Sequence, residues 1–496
     1  MENEAFPVCP PTSAPSIVWF RRDLRVEDQP ALAAALARGR PTLAVWILDG
    51  ETDGVEAPGG AARWWLDQSL RDLERSLMRR NVPLVLRRGP AFRVILDLVA
   101  STGADAVFWN RVYLPGEVAR DTALKAELAA RGVLSRSWNG SLLLEPWEVR
   151  PSGGRHRTFS GFWTACMARG IEPVLLPAPG EGMPWPAGTP VPASDDLGLA
   201  PRPDWAAGLR ETWTPGEAGA RERLARFLKG PMADYEERRD VMAEEGTSRL
   251  SPHLAWGEIS PGQVWRAVSD AAARNPAALP SARAVLRQLG WREFAWHTAF
   301  AVPDLARIPL DPRAERIAWR EDAVAFEAWT RGRTGLPLVD AGMRQLWRTG
   351  WMHNRARMVC ASYLAKLELL PWQSGEAWFR DTLVDADPAL NALNWQWAAG
   401  TGADAAPFFR IMSPVRQAER FDPEGDYIRR WVPELGGLDR TRIHAPWTAS
   451  PGEIDAAGIH LGSEYLRPRI DLGMARNRAL AAWKASGEAA DVPSGG

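Results

Sequence analysis

Cysteine and lysine are both scarce in this sequence. The three cysteines, Cys9, Cys166 and Cys360, are odd in number and far apart, which excludes a disulfide framework and leaves no metal-binding cluster. Only four of the 60 basic residues are lysine, and the net charge of −1 gives no overall attraction to nucleic acid. We therefore use only local arginine clusters as evidence for a phosphate-bearing partner.

Long apolar runs are also missing. The apolar stretches are interrupted by Arg, Gly or Pro, so we predict no membrane span. The first fifteen residues, MENEAFPVCPPTSAP, lack the basic start and apolar run of a signal peptide, and we interpret them as a loose arm on a cytoplasmic protein. With 496 residues, of which 46% are hydrophobic, the chain can bury large cores in about two to four domains.

Residues 16–144 alternate between short apolar strands and helical patterns. The strand candidates are SIVWF, TLAVWIL, VPLVLR, ADAVFW and VLSRSW, with helical patterns near 29–38, 61–80, 90–101 and 116–131. This alternation predicts an α/β domain built on a Rossmann-like parallel sheet with helices on both faces. The first strand continues into RRDLRVEDQPAL, so the G-x-G-x-x-G dinucleotide fingerprint is absent.

The remainder of the chain divides into a connector and a helical region. Residues 145–215 are rich in Pro and Gly and predict an interdomain linker on the surface, with one helix near 158–169. Residues 216–485 are helical in pattern almost throughout, which predicts an all-α second domain.

The stretch DADPALNALNWQWAAG, residues 385–400, combines features that a plain buried helix would not need. Asp387-Pro388 predicts a helix start. Asp387, Asn391 and Trp395 are then spaced four apart on one face, which therefore carries an anion, an amide and an indole. Taken alone, the same pattern is typical of a capped structural helix in which the Asn side chain hydrogen-bonds within the protein and the Trp packs in the core.

Three further helical segments are unusually polar. GTSRLSPHL offers hydroxyls and backbone N–H groups just before a helix. These donors could bind a phosphate group, or the hydroxyls could only cap the helix start. One face of VLRQLGWREFAWHTAF carries Val285, Gln288, Trp291 or Arg292, and Ala295. One face of HNRARM carries Asn354, Arg357 and Met358, and Arg355 adds positive charge beside it.

Five long segments occur in this order: WFRRDLRVEDQPAL, GTSRLSPHLAWGEISP, GWREF, TGLPLVDAGMRQLWRTGWMHNRARM and NWQWAAGTGADAAPFFRIMSP. Together they resemble the DNA photolyase/cryptochrome family, and most of all its bacterial cyclobutane pyrimidine dimer photolyases. The similarity extends from about residue 16 to residue 435. It implies an N-terminal α/β domain, a long linker, a helical domain that binds FAD in a folded conformation, and light-driven chemistry.

The resemblance also implies a set of FAD contacts. Asn391 would face flavin N5, where plant-cryptochrome-like members carry an acid, so this Asn favours a repair enzyme. Arg357 would pair with Asp385. The FAD phosphates would be held by Tyr235, Thr247, Ser248, Arg249, Leu250 and Ser251, and the isoalloxazine and ribityl groups by Asp385, Ala386 and Asp387.

The resemblance further implies an electron relay and a DNA-binding surface. Trp395, Trp372 and Trp319 match the family's relay, whereas Trp397 is interpreted as packing. Trp291 would stack on bases flipped out of DNA, and Met358 would line the pocket. Residues predicted near the DNA are Arg239, Gln288, Arg292, Asn354, Arg355 and Arg416.

Two positions depart from the pattern of dimer photolyases. Gln288 stands where they usually carry Glu, and Val285 stands where an aromatic residue is usual. HNRARM lacks the paired histidines expected of a (6-4) photolyase. Despite the two departures, the resemblance implies a cyclobutane pyrimidine dimer photolyase, a carbon–carbon lyase that we expect to act as a monomer on damaged DNA. A cryptochrome photoreceptor without repair activity and a (6-4) photolyase are the alternatives.

The antenna chromophore is left open as folate, deazaflavin or none. NRVYLPGEVARD falls where a folate antenna would be contacted. Glu117 could serve there, but Gly116 replaces a side chain that the folate type uses.

Overall fold

The computed structural model describes residues 14–152, 154–187, 189–403 and 410–488. Cys9 and most of the N-terminal arm lie outside these ranges, as do residues 404–409 of the last family-like motif. No helix among the described residues is long and apolar enough to cross a membrane.

A five-stranded parallel sheet forms the N-terminal part, as predicted. The strands are β1 (Ser16–Phe20), β2 (Thr42–Leu48), β3 (Leu84–Arg88), β4 (Ala106–Asn110) and β5 (Leu134–Trp138), in the spatial order β3-β2-β1-β4-β5. In the register, Val18 of β1 lies between Ala44 and Phe108 of its neighbours. The central strands are buried on both faces because helices cover both, which is why their sequences are apolar without alternation.

Four helices connect the strands and fall close to the predicted patterns. They are α1 (Pro30–Ala37), α2 (Gly60–Met78), α3 (Ala91–Thr102) and α4 (Pro115–Ala130). Between β5 and Glu217, the residues that the structure describes form two helices, α5 (Phe159–Arg169), close to the predicted helix, and α6 (Ala207–Thr212), and are otherwise outside helices and strands.

The remaining chain is helical, which confirms the predicted class. The helices are α7 (Glu217–Lys229), α8 (Tyr235–Arg238), α9 (Ser251–Ala255), α10 (Pro261–Arg274), α11 (Leu279–Ala301), α12 (Ala323–Thr330), α13 (Pro337–Thr349), α14 (Asn354–Ser362), α15 (Trp372–Thr382), α16 (Pro388–Ala399), α17 (Pro414–Phe421), α18 (Asp426–Trp431), α19 (Pro451–Ala456) and α20 (Leu472–Glu488). A π-helical turn, Tyr363–Leu367, continues α14. The segment 302–322 holds only a short 3₁₀ turn, because Pro303, Pro309 and Pro312 each lack the N–H that a helix interior needs.

The loop after β1 is fixed against the turn that follows α9. Leu24 N–H donates to the carbonyl of Trp256 (3.1 Å), and the Arg25 guanidinium donates to the carbonyl of Gly257 (3.0 Å). Gly257 has φ +65°, and a Cβ there would lie 2.1 Å from the Arg22 carbonyl oxygen. Only glycine permits this approach, so the contact fixes the carboxyl end of the central strand beside α9, which follows the GTSRLS segment.

Candidate functional site

Helix α16 begins at Asp387, as predicted, and this residue caps its first turn. Oδ1 of Asp387 accepts hydrogen bonds from the N–H groups of Ala389 and Leu390, each at 3.0 Å. Oδ2 accepts a hydrogen bond from the Trp296 indole of α11 at 3.0 Å. The buried carboxylate therefore satisfies two free N–H groups of the helix start and fixes α16 against α11.

One turn further along the same face, Asn391 is anchored to α15. Its Nδ2 donates to Oε1 of Glu376 at 2.8 Å and to the Glu376 carbonyl at 3.0 Å. Glu376 is 2% exposed, and burial raises the pKa of its carboxyl, against the opposing charge of Arg380. Because both amide hydrogens are directed at Glu376, the Asn391 carbonyl oxygen points away from α15 and is oriented to accept a hydrogen bond.

Trp395, the third residue of this face, is buried in the helical core. Its ring lies edge-on to Phe379 (centroids 5.0 Å apart) and Trp329 (6.0 Å). Its indole Nε1 is buried and has no hydrogen-bond partner within the described part of the chain. Gly375 allows α15 to come close, since a Cβ there would lie 2.1 Å from the Trp395 ring.

Asp385 and Arg357 form the ion pair that the sequence comparison implied. Nη2 of Arg357 lies 2.8 Å from Oδ2 of Asp385, and Nε of Arg357 donates to the Met352 carbonyl at 2.8 Å. The Asp385 side chain is almost fully buried. Its Oδ1 has no partner among the residues that the structure describes, so this oxygen is free to accept a hydrogen bond from a ligand.

The segment 247–251 forms a turn of hydroxyl and basic side chains before α9. Arg249 sits in the left-handed region at φ +50°, and burial lowers the pKa of its guanidinium, against the charge of Glu245. Thr247, Ser248 and Arg249 are partly buried, Leu250 is buried and Ser251 is exposed. The cation and the three hydroxyls provide the donors that an anionic group requires.

Trp351 connects this turn to the Asp385 pair. Its indole N–H donates to Oγ of Ser251 at 3.3 Å. The guanidinium carbon of Arg249 lies 4.9 Å from the Trp351 ring centroid, and that of Arg357 lies 5.8 Å from it. The structure therefore brings the 247–251 turn, Arg357, Asp385 and the start of α16 into one continuous site.

A second group lies beside the first, around the start of α14. His353 caps α14: Nδ1 accepts from Arg355 N–H at 3.2 Å, and Nε2 is 3.1 Å from the Arg239 carbonyl. Burial lowers the pKa of His353 to about 4, so the imidazole is neutral. The Arg239 guanidinium carbon lies 5.8 Å from the ring centroid of Tyr235.

Arg355 of this group is not a free surface cation. Its guanidinium forms an ion pair with Asp240 and lies over the Phe421 ring, 4.5 Å from the centroid. Burial acts to raise the pKa of the Asp240 carboxyl. The hydrogen bond from Arg355 and the charges of Arg355 and Arg239 outweigh burial, so the pKa lies below its usual value. The pair is therefore ionised, and Asp240 partly neutralises Arg355.

The residues predicted to meet DNA differ in accessibility. Gln288, Asn354 and Arg416 are exposed, and Arg239, Trp291, Arg355 and Met358 are partly buried. Arg292 differs, because it is 7% exposed and its Nη1 donates to the Ser141 carbonyl (2.8 Å) and lies 3.0 Å from Glu293. Sequence could not show that this guanidinium is turned inward, and we remove Arg292 from the predicted DNA contacts.

The three relay candidates differ in burial. Trp372 (1% exposed) and Trp395 (2%) lie in the helical core. Trp319 is partly exposed and packs against both that core and the small cluster around Leu369. Trp397 is partly buried and packs against the same core. The candidates therefore range from the interior to the surface, and their order as a relay stays a prediction.

Several residues of the site were not predicted. They include Glu376, which orients Asn391, and Trp351, which connects the two halves of the site. Asp240 and His353 hold α14 in place. Glu376 follows Trp372 by one turn in WQSGEAW, and a polar residue on the inner face of a helix is the signal that could have identified it.

Gly116 and Glu117 lie at the start of α4. A Cβ on Gly116 would lie 2.6 Å from the Asp53 carbonyl oxygen, so close packing of the loop explains the absence of a side chain there. Glu117 is 8% exposed, and its Oε2 has no partner in the described ranges. Glu117 therefore stays a predicted contact of an antenna chromophore.

Two family models match the chain. Residues 16–180 match the model described as DNA photolyase, and residues 285–485 match the FAD binding domain of DNA photolyase. The first covers the sheet and α5. The second covers Arg357, the Asp385–Asn391 segment and the three tryptophans of the predicted relay.

Similar proteins agree with these matches over nearly the full length. A deoxyribodipyrimidine photo-lyase of Agrobacterium fabrum is 47% identical over 478 residues, which is 95% of this chain and 98% of that protein. Cryptochrome-1 of Arabidopsis thaliana is 40% identical over 93% of this chain and 69% of its own length. A solved bacterial class III photolyase from Agrobacterium tumefaciens superposes with a TM-score of 0.92 at 46% identity, covering 98% of this chain and 100% of that one. The chain belongs to the DNA photolyase family.

Proposed function

We propose that the protein is a deoxyribodipyrimidine photo-lyase that uses FAD and blue light to split cyclobutane pyrimidine dimers flipped out of DNA. One observation carries the proposal: Asp387, Asn391 and Trp395 lie in line on one buried face of α16, beside the Arg357–Asp385 pair. On this face the fixed amide of Asn391 offers a hydrogen-bond acceptor to a cofactor, and the buried indole of Trp395 offers an oxidisable side chain one turn further on. Asp387 holds the start of the helix in place.

The donors and acceptors of the site fit FAD. Arg249 and the hydroxyls of the 247–251 turn suit its diphosphate, and Tyr235 with Leu250 would close that end. The free Oδ1 of Asp385 and the Asn391 carbonyl suit a hydrogen-bonding ring and its ribityl chain, with Ala386 between them. When bound, FAD supplies the light-excited electron donor.

The chain's own contribution beside the cofactor is to hold Asn391 in one orientation. Because Glu376 takes both hydrogens of the amide, the side-chain oxygen of Asn391 would accept a hydrogen bond from N5–H of reduced flavin. Trp395, Trp372 and Trp319 would pass electrons between the site and the surface, since indoles can be oxidised and reduced again. The low exposure of the first two supports their place at the inner end.

The damaged bases would be held over the site by side chains of α11 and α14. Trp291 is partly exposed and offers a stacking surface, Met358 is close to Asn354 (Sδ to Nδ2, 3.7 Å), and Gln288 is exposed on α11. Stacking on aromatic side chains and hydrogen bonds to base edges are how flipped bases are bound. Arg239 and Arg416 would contact phosphates, giving affinity without base recognition. Arg355 would make a weaker phosphate contact, because Asp240 partly neutralises it.

A cryptochrome photoreceptor is the second candidate. The 40% identity to Cryptochrome-1 of Arabidopsis thaliana favours it, together with Gln288 and the buried Val285 in place of the residues usual for repair.

We also propose the domain boundaries as 16–144, 145–215 and 216–485, and a monomer that acts in the cytoplasm. The end of β5 at Trp138 and the start of α7 at Glu217 support the boundaries. The proposed DNA substrate supports the proposed location in the cytoplasm.

Repair of a thymine-dimer oligonucleotide tests the proposed function. Purified protein with reduced flavin should restore intact thymines under blue light, while the same sample kept in the dark should not. Damaged DNA that is bound but unrepaired in the light would favour the cryptochrome alternative.

A further inference from the structure

The indole of Trp291 is stacked face to face on the ring of Phe159. The ring centroids are 3.8 Å apart and the planes are 9° from parallel. Phe159 is the first residue of α5, in the linker, whereas Trp291 is on α11. Helix α5 of the linker therefore packs directly behind a residue of the proposed lesion-binding surface.

Attraction between the two rings contributes to this contact, but a single aromatic pair is held only weakly by it. The packing around Phe159 also fixes the stack. Phe159 is 1% exposed, the ring of Trp163 is parallel to it at 6.0 Å, and Phe294 meets it edge-on at 6.1 Å.

Helix α5 is seated against α11 at the residue just before Trp291. A Cβ on Gly290 would lie 2.4 Å from the Trp163 ring, so only glycine allows this contact. The Arg287 guanidinium lies 4.8 Å from the Phe159 centroid, and Phe294 meets the Trp291 ring edge-on at 6.0 Å. Phe159 is thus fixed from several sides, while Trp291 stays partly exposed.

We propose that Phe159 is a positioning residue for damaged DNA. It covers one face of the Trp291 indole and holds the ring in the single orientation that offers the opposite face to a flipped base. This inference rests on the proposed function and adds a residue of the linker to it. Without the Phe159 ring behind it, the Trp291 indole samples other rotamers. The apparent affinity for damaged DNA then falls in proportion to the fraction of time that the indole spends in the binding-competent rotamer.

The test compares Phe159→Leu with Phe162→Leu in the full-length, flavin-loaded protein. Both phenylalanines are on α5 and almost fully buried, so the two changes remove a similar buried ring. Phe162 packs instead against Phe294 and His297 (centroids 5.5 and 4.8 Å). The measurement is the ratio of dissociation constants for intact and dimer-containing duplex, with flavin content and melting temperature recorded for each variant.

Phe159→Leu should lower this selectivity about fivefold to tenfold, while Phe162→Leu stays within about twofold of wild type. In a Trp291→Ala background, Phe159→Leu should have no further effect, since the ring it positions is gone. Equal selectivity of the two single variants, or an undiminished effect of Phe159→Leu in the Trp291→Ala background, would overturn the inference. If Phe159→Leu does not fold, Phe159→Met, which fills the space without a ring, should show the same loss.

A wild-type protein without any preference for dimer-containing DNA would refute the proposed function itself, and this inference with it. Wild-type selectivity combined with an unaffected Phe159→Leu variant would refute only the inference.

Discussion

The amide of Asn391 donates to the buried carboxylate of Glu376, with 2.8 Å between Nδ2 and Oε1. This contact decides which end of the amide is available to the cofactor. Glu376→Leu should leave the amide hydrogens with only the backbone carbonyl and destabilise the protein by about 1–3 kcal/mol, the usual effect of a buried polar group without its partner. Glu376→Gln keeps an acceptor and should lose clearly less. Urea unfolding of both variants measures the difference, and equal stability would show that the carboxyl side chain does not anchor Asn391.

The pair of Arg357 and Asp385 should be required for flavin binding. Asp385→Ala removes both the partner of Arg357 and the free Oδ1, so we expect loss of most bound flavin. Asp381→Ala is the matched control, since Asp381 is exposed and accepts from the Gly60 N–H at 2.8 Å. The ratio of flavin to protein absorbance after purification gives the result. Full flavin content in the Asp385 variant would contradict the assignment.

Trp395 and Trp397 provide a second matched pair. Trp395→Phe should sharply slow the photoreduction of oxidised flavin by an external reductant, because the first step of the relay is lost. Trp397→Phe should leave the rate close to wild type, because Trp397 lies two residues on and faces another side of α16. Flavin absorbance under blue light follows the reaction. Identical rates in the two variants would show that the relay begins elsewhere.

Stability should decrease in mild acid because of His353. Burial lowers the pKa of this imidazole to about 4, whereas in the unfolded chain it is about 6.5. Above pH 6.5 both states are neutral and the residue has no effect. Between pH 6.5 and 4 only the unfolded state takes up the proton, so the free energy of unfolding falls by up to about 1.4 kcal/mol per pH unit.

The variant His353→Asn isolates this contribution, because Asn can still cap α14. Its free energy of unfolding should decrease less than that of wild type between pH 7 and pH 5, by about 1–2 kcal/mol. Urea unfolding at the two pH values provides the comparison. An equal decrease in both proteins would mean that His353 does not titrate as described.

The positions of the strands and helices along residues 16–144 could be predicted closely because each element is short and its apolar pattern is local. The Asp387 cap could be predicted for the same reason. The inward turn of Arg292 and the role of Glu376 could not, because their partners, Ser141 and Asn391, are distant in sequence. Burial of a charged side chain depends on such tertiary contacts, and no local pattern records them.

Gln288 provides the most direct test of the central claim, which is light-driven dimer repair. Its exposed amide on α11 would donate to a carbonyl of the dimer, where negative charge develops after electron transfer. Repair yield per absorbed photon should be measured for wild type, Gln288→Glu and Gln288→Ala with flavin reduced and damaged DNA bound. We expect repair by wild type, a higher yield for Gln288→Glu because a protonated acid can also share its proton, and a yield up to about fivefold lower for Gln288→Ala, the worth of one neutral hydrogen bond. No repair by any of the three proteins would contradict the account and favour the photoreceptor alternative.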